Sequence, residues 1–158
     1  MYTKALFLSL LLFPVLLLCQ VEPMLGQQLL PSDTGIVYKV VEQMPLFPGC
    51  EDAYDYAEMK QCADRKMIEY IYDLQVYPED ALEDEIEGMA VVSFIVEKDG
   101  RITSLECVRE VCPSIKAEAL YMVDVMAVDL PPWNPGKQDG KLVRVQFNLP
   151  IKFRLPRD

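Results

Sequence analysis

Two groups of side chains in this sequence have the types and spacing to do chemistry. Glu83, Asp84, Glu85 and Glu87 could supply paired carboxylates for acid and base work. Cys50, Cys62, Cys107 and Cys112 could form disulfides, ligate a metal or act as nucleophiles. The chain has no histidine, which excludes Ser-His-Asp triads, Cys-His dyads, His-ligated zinc and the usual near-neutral proton shuttle. No Cys-x-x-Cys spacing points to a metal, so no metal and no cofactor are expected. The four carboxylates are clustered in sequence at the end of an acidic helix, the pattern of a solvated face and not of a cleft assembled from distant segments. No catalytic residue is assigned, and the chemistry that remains is that of binding.

Charge narrows the partner. The net charge is −10 over 158 residues, and a chain this acidic has no field with which to hold a phosphate backbone, so nucleic acid is excluded. The charge is uneven. Residues 41–87 carry fourteen acids against Lys60, Arg65 and Lys66, whereas Lys137, Lys141, Arg144, Lys152, Arg154 and Arg157 make the C-terminal stretch basic. This is the pattern of a solvated acidic face and a soluble basic strand, and a locally basic end also suits an acidic partner.

The N-terminus reads as an address label. Lys4 precedes an apolar run over residues 5–19 broken only by Ser9 and Pro14, the form of a secretory signal peptide, with Gly26 before Gln27 as a small residue for cleavage. The run is short of the roughly 20 residues that a spanning helix needs. Residues 1–26 are therefore assigned to a signal peptide or N-terminal membrane anchor, 27–40 to a short linker and 41–158 to one domain. Lipidation at Cys19 would want a small residue before it, and Leu18 is bulky. An exported chain with four cysteines downstream of Cys19 favours disulfides. Three pairings are open: Cys50 with Cys62 would staple an acidic loop to the next helix, and Cys107 is either a small buried hydrophobe on a strand or the partner of Cys112.

The elements that must carry these residues follow from periodicity. Asp64 opens a predicted helix whose Met67, Ile68, Ile71 and Leu74 recur at helical spacing as core, and Tyr77-Pro78 ends it before a short helix over 79–84. Residues 88–96 are an apolar strand, Asp99-Gly100 a turn, and residues 102–109 the return strand with a bulge near Thr103 and Ser104. Pro113-Ser114 caps a helix over 115–128 that turns Ile115, Ala119, Met122, Val123 and Met126 to the sheet, and Pro131-Pro132 stops it. A long strand over 141–155 follows. Pro150 within it lacks a ladder donor and places it at a sheet edge. The class is α+β: a two-layer, three-stranded antiparallel sheet with two helices packed on one face.

In order and spacing, Tyr77-Pro78, Ile86-Glu87-Gly88, Asp99-Gly100, Trp133-x-Pro135-Gly136 and the final strand resemble the C-terminal domain of TonB-type energy transducers. The lead-in Met44-Pro45-x-Phe47-Pro48-Gly49, with Cys50 and Cys62, is similar to the Bacteroidetes-type variant. The resemblance implies a non-enzymatic periplasmic module that binds the TonB box, a short extended segment of outer-membrane receptors, in support of energy-dependent transport. The mode implied is β-augmentation, in which the peptide adds a strand to the exposed edge. The site residues expected are Tyr77 and, on the final strand, Val143, Arg144, Val145, Gln146, Phe147 and Asn148; Trp133 is expected as a packing anchor. The same resemblance names inner-membrane motor proteins as partners. Transducers of the common type reach them through a histidine-bearing membrane helix and a long proline-rich segment, and neither stands in this sequence, so peptide binding is the firmer expectation. An exposed edge also leaves homodimerisation by strand exchange open, as it does the use of the fold as an exported scaffold without energy transduction.

Overall fold

The structure is a computed structural model that describes residues 35–156. The expected leader, Cys19 and most of the expected linker lie outside the described residues. The elements in chain order are β1 (Val37–Tyr38), α1 (Tyr56–Leu74), α2 (Glu79–Glu83), β2 (Gly88–Val96), β3 (Ile102–Arg109), α3 (Pro113–Asp129), β4 (Gly136–Gln138) and β5 (Lys141–Phe153).

Strict alternation builds the sheet. In β2 the even-numbered Ala90, Val92, Phe94 and Val96 are fully buried, and the antiparallel register sets them opposite Ile151, Leu149, Phe147 and Val145 of β5. Eight side chains thus share one face, as a period of two requires. The sheet order is β1-β5-β2-β3, with β4 paired to β5. Its centre is the expected antiparallel trio β5, β2 and β3, but two short strands join it: β1 runs parallel to β5 and β4 antiparallel. Between the pairs Ser93↔Glu106 and Ile95↔Thr103, β3 carries one residue more than β2. The extra residue is a bulge, and Ser104 has a positive φ of 56° there.

Helices cover the buried face. α3 packs on β2 and β3 and buries Ile115, Ala119, Met122, Val123 and Met126, the row that its spacing predicts. Its N-cap is Cys112 with Pro113 in the first turn, so the helix starts two residues before the expected Ile115. α1 starts at Tyr56, eight residues before the expected Asp64. The Asp55 carboxylate accepts the Glu58 N–H at 2.8 Å, and the Glu58 carboxylate accepts the Tyr54 N–H at 3.0 Å, so the true start is a near capping box. The longer helix buries Ala63, Met67 and Ile71, whereas Ile68, expected in the core, is 52% exposed. Residue 68 lies one step of about 100° around the helix from Met67.

The β2–β3 turn fixes the far end of the sheet. Gly100 has φ +82°, and a Cβ there would stand 2.1 Å from the Trp133 carbonyl oxygen. The Trp133 N–H donates to the Gly100 carbonyl at 3.0 Å. Only glycine satisfies both the conformation and the close approach.

On the opposite face of the sheet, Arg144 forks onto Glu97, Nε to Oε2 at 2.6 Å and Nη2 to Oε1 at 2.8 Å. Thr103 Oγ1 donates to the same carboxylate at 2.7 Å, and Arg144 Nη1 donates to the Gly35 carbonyl at 3.1 Å. Glu97 is 6% and Arg144 8% exposed. Removing one member of such a pair strands the other in a site poor in water, at about 3–5 kcal/mol. Denaturant unfolding of Arg144→Met is therefore expected to lose about 3 kcal/mol, and an unchanged midpoint would refute the assignment. The Arg144 hydrogen bonds hold the Glu97 carboxyl below its ordinary 4.5. A lowered folded pKa contributes stability that is complete above the unfolded value and is lost as pH falls through the folded one. Wild type and Glu97→Gln are expected to converge in stability as the pH drops below 4.5; a gap that stays constant on acidification would contradict this.

Candidate functional site

β5 has two sides and uses them unequally. Toward β2 it is paired from Val145 to Phe153. On its other side β1 pairs only with Arg144 and Val145, and among the described residues no strand follows β1 along that side. The backbone groups of an antiparallel strand alternate between one neighbour and the other. Gln75, the C-cap of α1, donates its Nε2 to the Lys152 carbonyl at 3.2 Å, and Pro150, opposite Val91, has no N–H to give to β2. Both facts set the even-numbered residues of β5 with their backbone groups outward. Gln146 and Asn148 then present N–H and C=O at the open edge, and Pro150 a carbonyl alone. The final strand is thus an edge over its second half and a covered strand at its start.

The expected site residues divide along that boundary. Val143 pairs with Gly136 of β4, and Val145 is fully buried between β2 and β1. Arg144 is held by Glu97 and does not stand as a free cation at the edge. The Gln146 amide donates to Ser93 Oγ at 2.8 Å, and Phe147 stacks on Phe94 with centroids 5.5 Å apart. The Asn148 side chain is exposed on the outer strand. Lys152 and Arg154, both exposed, supply positive charge at the open end. Tyr77 donates its hydroxyl to the Ile86 carbonyl at 2.6 Å and sets its ring edge-on to Phe153 at 5.9 Å. Burial raises its pKa above the ordinary tyrosine value. Tyr77 therefore locks the turn after α2 to the end of β5.

The lead-in is stapled against the same body. Cys50 and Cys62 form a disulfide across 12 positions, while Cys107 and Cys112 are free and partly buried. Cys107 Sγ donates to its neighbouring Arg109 carbonyl, and Cys112 Sγ meets Ser114 Oγ, so the alternative pairing of Cys107 with Cys112 is not made. Glu51 accepts the Gly49 N–H at 2.8 Å and the Asn134 amide at 3.2 Å. The Gly49 hydrogen bond leads in keeping its carboxyl below the ordinary value. Leu46 and Asn134 exchange backbone hydrogen bonds at 2.9 Å in both directions. Trp133 sits at the junction, edge-on to Phe47, Phe94 and Phe147 at 5.7, 5.5 and 5.3 Å. Its buried indole N–H has no hydrogen-bond partner. It is the packing anchor that its place in the sequence suggests.

The family model described as Gram-negative bacterial TonB protein C-terminal matches residues 74–155. The chain belongs to the TonB C-terminal family. TonB C-terminal domains are binding and transducing domains without enzymatic activity, and Glu83, Asp84, Glu85 and Glu87, the carboxylates that could have suggested an enzyme, are all exposed. No curated protein matches the chain. Among solved structures, an NMR structure of the Helicobacter pylori TonB C-terminal domain is 26% identical and covers 60% of this chain and 95% of its own, with a TM-score of 0.45. A second, of a longer piece of that domain, is 22% identical over 69% of this chain and 91% of its own, with a TM-score of 0.47. The HasB C-terminal domain is 22% identical over 70% and 78%, with a TM-score of 0.37. The part of this TonB-family chain before residue 74, which holds β1, the disulfide and nearly all of α1, lies outside the family match. Among the described residues no helix is long and apolar enough to cross a membrane.

Closing a loop of this size contributes about 3 kcal/mol in the chain-entropy model. The Cys50→Ser/Cys62→Ser double variant is expected to lose up to about that much stability. With the disulfide intact, thiol labelling of the folded chain followed by mass spectrometry should modify Cys107 and Cys112 and spare Cys50 and Cys62. Labelling of Cys50 without reductant would contradict the pairing.

Proposed function

We propose that this chain is the receptor-engaging part of a TonB-type transducer. It binds the TonB box of outer-membrane receptors by β-augmentation in the periplasm and so supports energy-dependent transport across the outer membrane. The observation that carries the reading is the outer side of β5 beyond β1, where Gln146 and Asn148 turn their backbone groups away from β2. A peptide laid there would gain main-chain hydrogen bonds in sequence-tolerant fashion, with alternate side chains supplying selectivity. The stretch 146–152 beyond β1 is about 24 Å long at ~3.4 Å per residue, with no donor at Pro150 and its last carbonyl taken by Gln75, enough for a short extended segment. Lys152 and Arg154 favour an acidic one. In this reading Gln146, Phe147 and Asn148 form the docking strand. Val143, Arg144 and Val145 hold its start in register, and Tyr77 fixes its far end. Family membership supports an envelope location, and the exported leader expected over 1–26 agrees with a periplasmic one.

The test is fluorescence anisotropy with a labelled TonB-box peptide. Micromolar-range binding is expected, and N-methylation of alternate peptide nitrogens should weaken it by about tenfold or more, because two edge hydrogen bonds are lost. Asn148→Pro should weaken it similarly while leaving the far-ultraviolet spectrum unchanged. Absence of binding, or binding indifferent to both changes, would overturn the proposal.

A further inference from the structure

α1 does more than close the core. Its Met67 and Ile71 are buried. One step around the helix, Ile68 and Tyr72 lie four residues apart on one face and are 52% and 57% exposed. These four residues and Leu149, Pro150, Ile151 and Lys152 of β5 line one cavity of about 160 Å³. The cavity therefore lies between the outer row of α1 and the open half of the β5 edge. Leu149 and Ile151 point to the helix-covered face, where both are buried. Ile68 and Tyr72 border this cavity from the helix side. Two large apolar side chains held in solvent beside an unpaired strand have no role in the core, since Ala63, Met67 and Ile71 already fill it.

We infer that α1 roofs the open edge of β5, and that Ile68 and Tyr72 are specificity-determining residues for an extended peptide docked there. This rests on the reading of β5 as the docking strand and adds the chemistry of the occupant. The edge already accepts a strand, because β1 is laid parallel on Arg144 and Val145, and residues 146–152 continue the same line. A strand added there alternates. The residues set opposite Leu149 and Ile151 face the roof and must be apolar, the first large enough to fill the cavity. The residue between them faces the open side beside Pro150 and is free in type. Lys152, exposed and among the residues that line the cavity, suits an acidic residue at the end of the segment. The occupant is thus an extended segment with two apolar residues separated by one, flanked by an acid. The roofing residues lie before residue 74, outside the part of the chain that defines the family, so this selectivity belongs to the N-terminal extension.

The experiment compares two labelled peptides on the full chain: a TonB-box peptide with two alternating apolar residues, and its copy with both replaced by serine. Ile68→Ser/Tyr72→Ser is expected to weaken the apolar peptide by about tenfold or more, from the apolar area no longer buried, and to leave the serine peptide unchanged. Val128→Ser, at an exposed site on α3, is the control and should change neither. If Asn148→Pro abolishes binding while Ile68→Ser/Tyr72→Ser does not alter it, the roof is refuted and the β5 edge stands. If neither peptide binds wild type, both fail. If sedimentation instead reveals a dimer that Ile68→Ser/Tyr72→Ser dissolves, the cavity is an interface between copies and the inference is overturned.

Discussion

The antiparallel register between β2 and β5 is the constraint on which the remaining geometry rests. Nine consecutive pairs, from Gly88↔Phe153 to Val96↔Val145, put every even residue of β2 and every odd residue of β5 on the helix-covered face. A slip by one residue would turn Phe147, Leu149 and Ile151 to the open face and drive Arg144 and Gln146 into the core. The same register brings Arg144, one residue beyond the last pair, within reach of Glu97, one residue beyond the end of β2. An ion pair with so little exposure is weak evidence of net stability, because desolvation offsets most of its attraction. Its geometry, however, is satisfied only in one alignment of the strands. It also holds the Gly35 carbonyl, and with it the start of β1.

A second set of contacts attaches the part of the chain that the family does not define. Phe47 packs between Tyr70 of α1 and Trp133, and Trp133 meets Phe94 and Phe147 of the central strands. Lead-in, helix, loop and sheet therefore share one aromatic cluster, in the tilted and edge-on arrangements that rings prefer. The disulfide acts on the same junction from outside, tying Cys50 just after Phe47 to Cys62 beside the buried Ala63. With both in place, α1 is held against the sheet, and with it the cavity that Ile68 and Tyr72 share with β5.

What could be read from sequence was set by the length of each signal. β2 and β3 lie at the residues expected, since nine and eight residues of β-rich pattern bounded by Gly88 and Asp99-Gly100 leave little freedom. The α3 core row was legible for the same reason. α1 begins before its periodicity shows, because its first turns are polar on the outside and Cys62 and Ala63 carry weak apolar signal, although Asp55-x-x-Glu58 marks the start. β1 and β4, of two and three residues, are too short for any periodicity to register and exist because β5 offers them a partner. The basic character of Arg144 was visible, but its engagement with a carboxylate 47 positions away is a tertiary fact. Alternation along β5 does place residue 144 on the polar face, and that was the available hint.

An open strand edge carries a standing risk of pairing with any extended chain, its own copies included. This edge carries several of the known countermeasures at once: a proline at 150 that withholds a donor, a lysine at 152, a side-chain amide from Gln75 on the Lys152 carbonyl, and β1 over its first residues. A long flat partner would find the donors interrupted at Pro150 and the ends already taken. The uninterrupted part, the N–H and C=O groups of Gln146 and Asn148, is short. Protection and availability are then not in conflict: the features that deter an indiscriminate strand leave a window matched to a brief extended segment. The apolar overhang of α1 adds a condition that a polar loop would not meet. Selectivity in such a site comes as much from what the edge withholds as from what it offers.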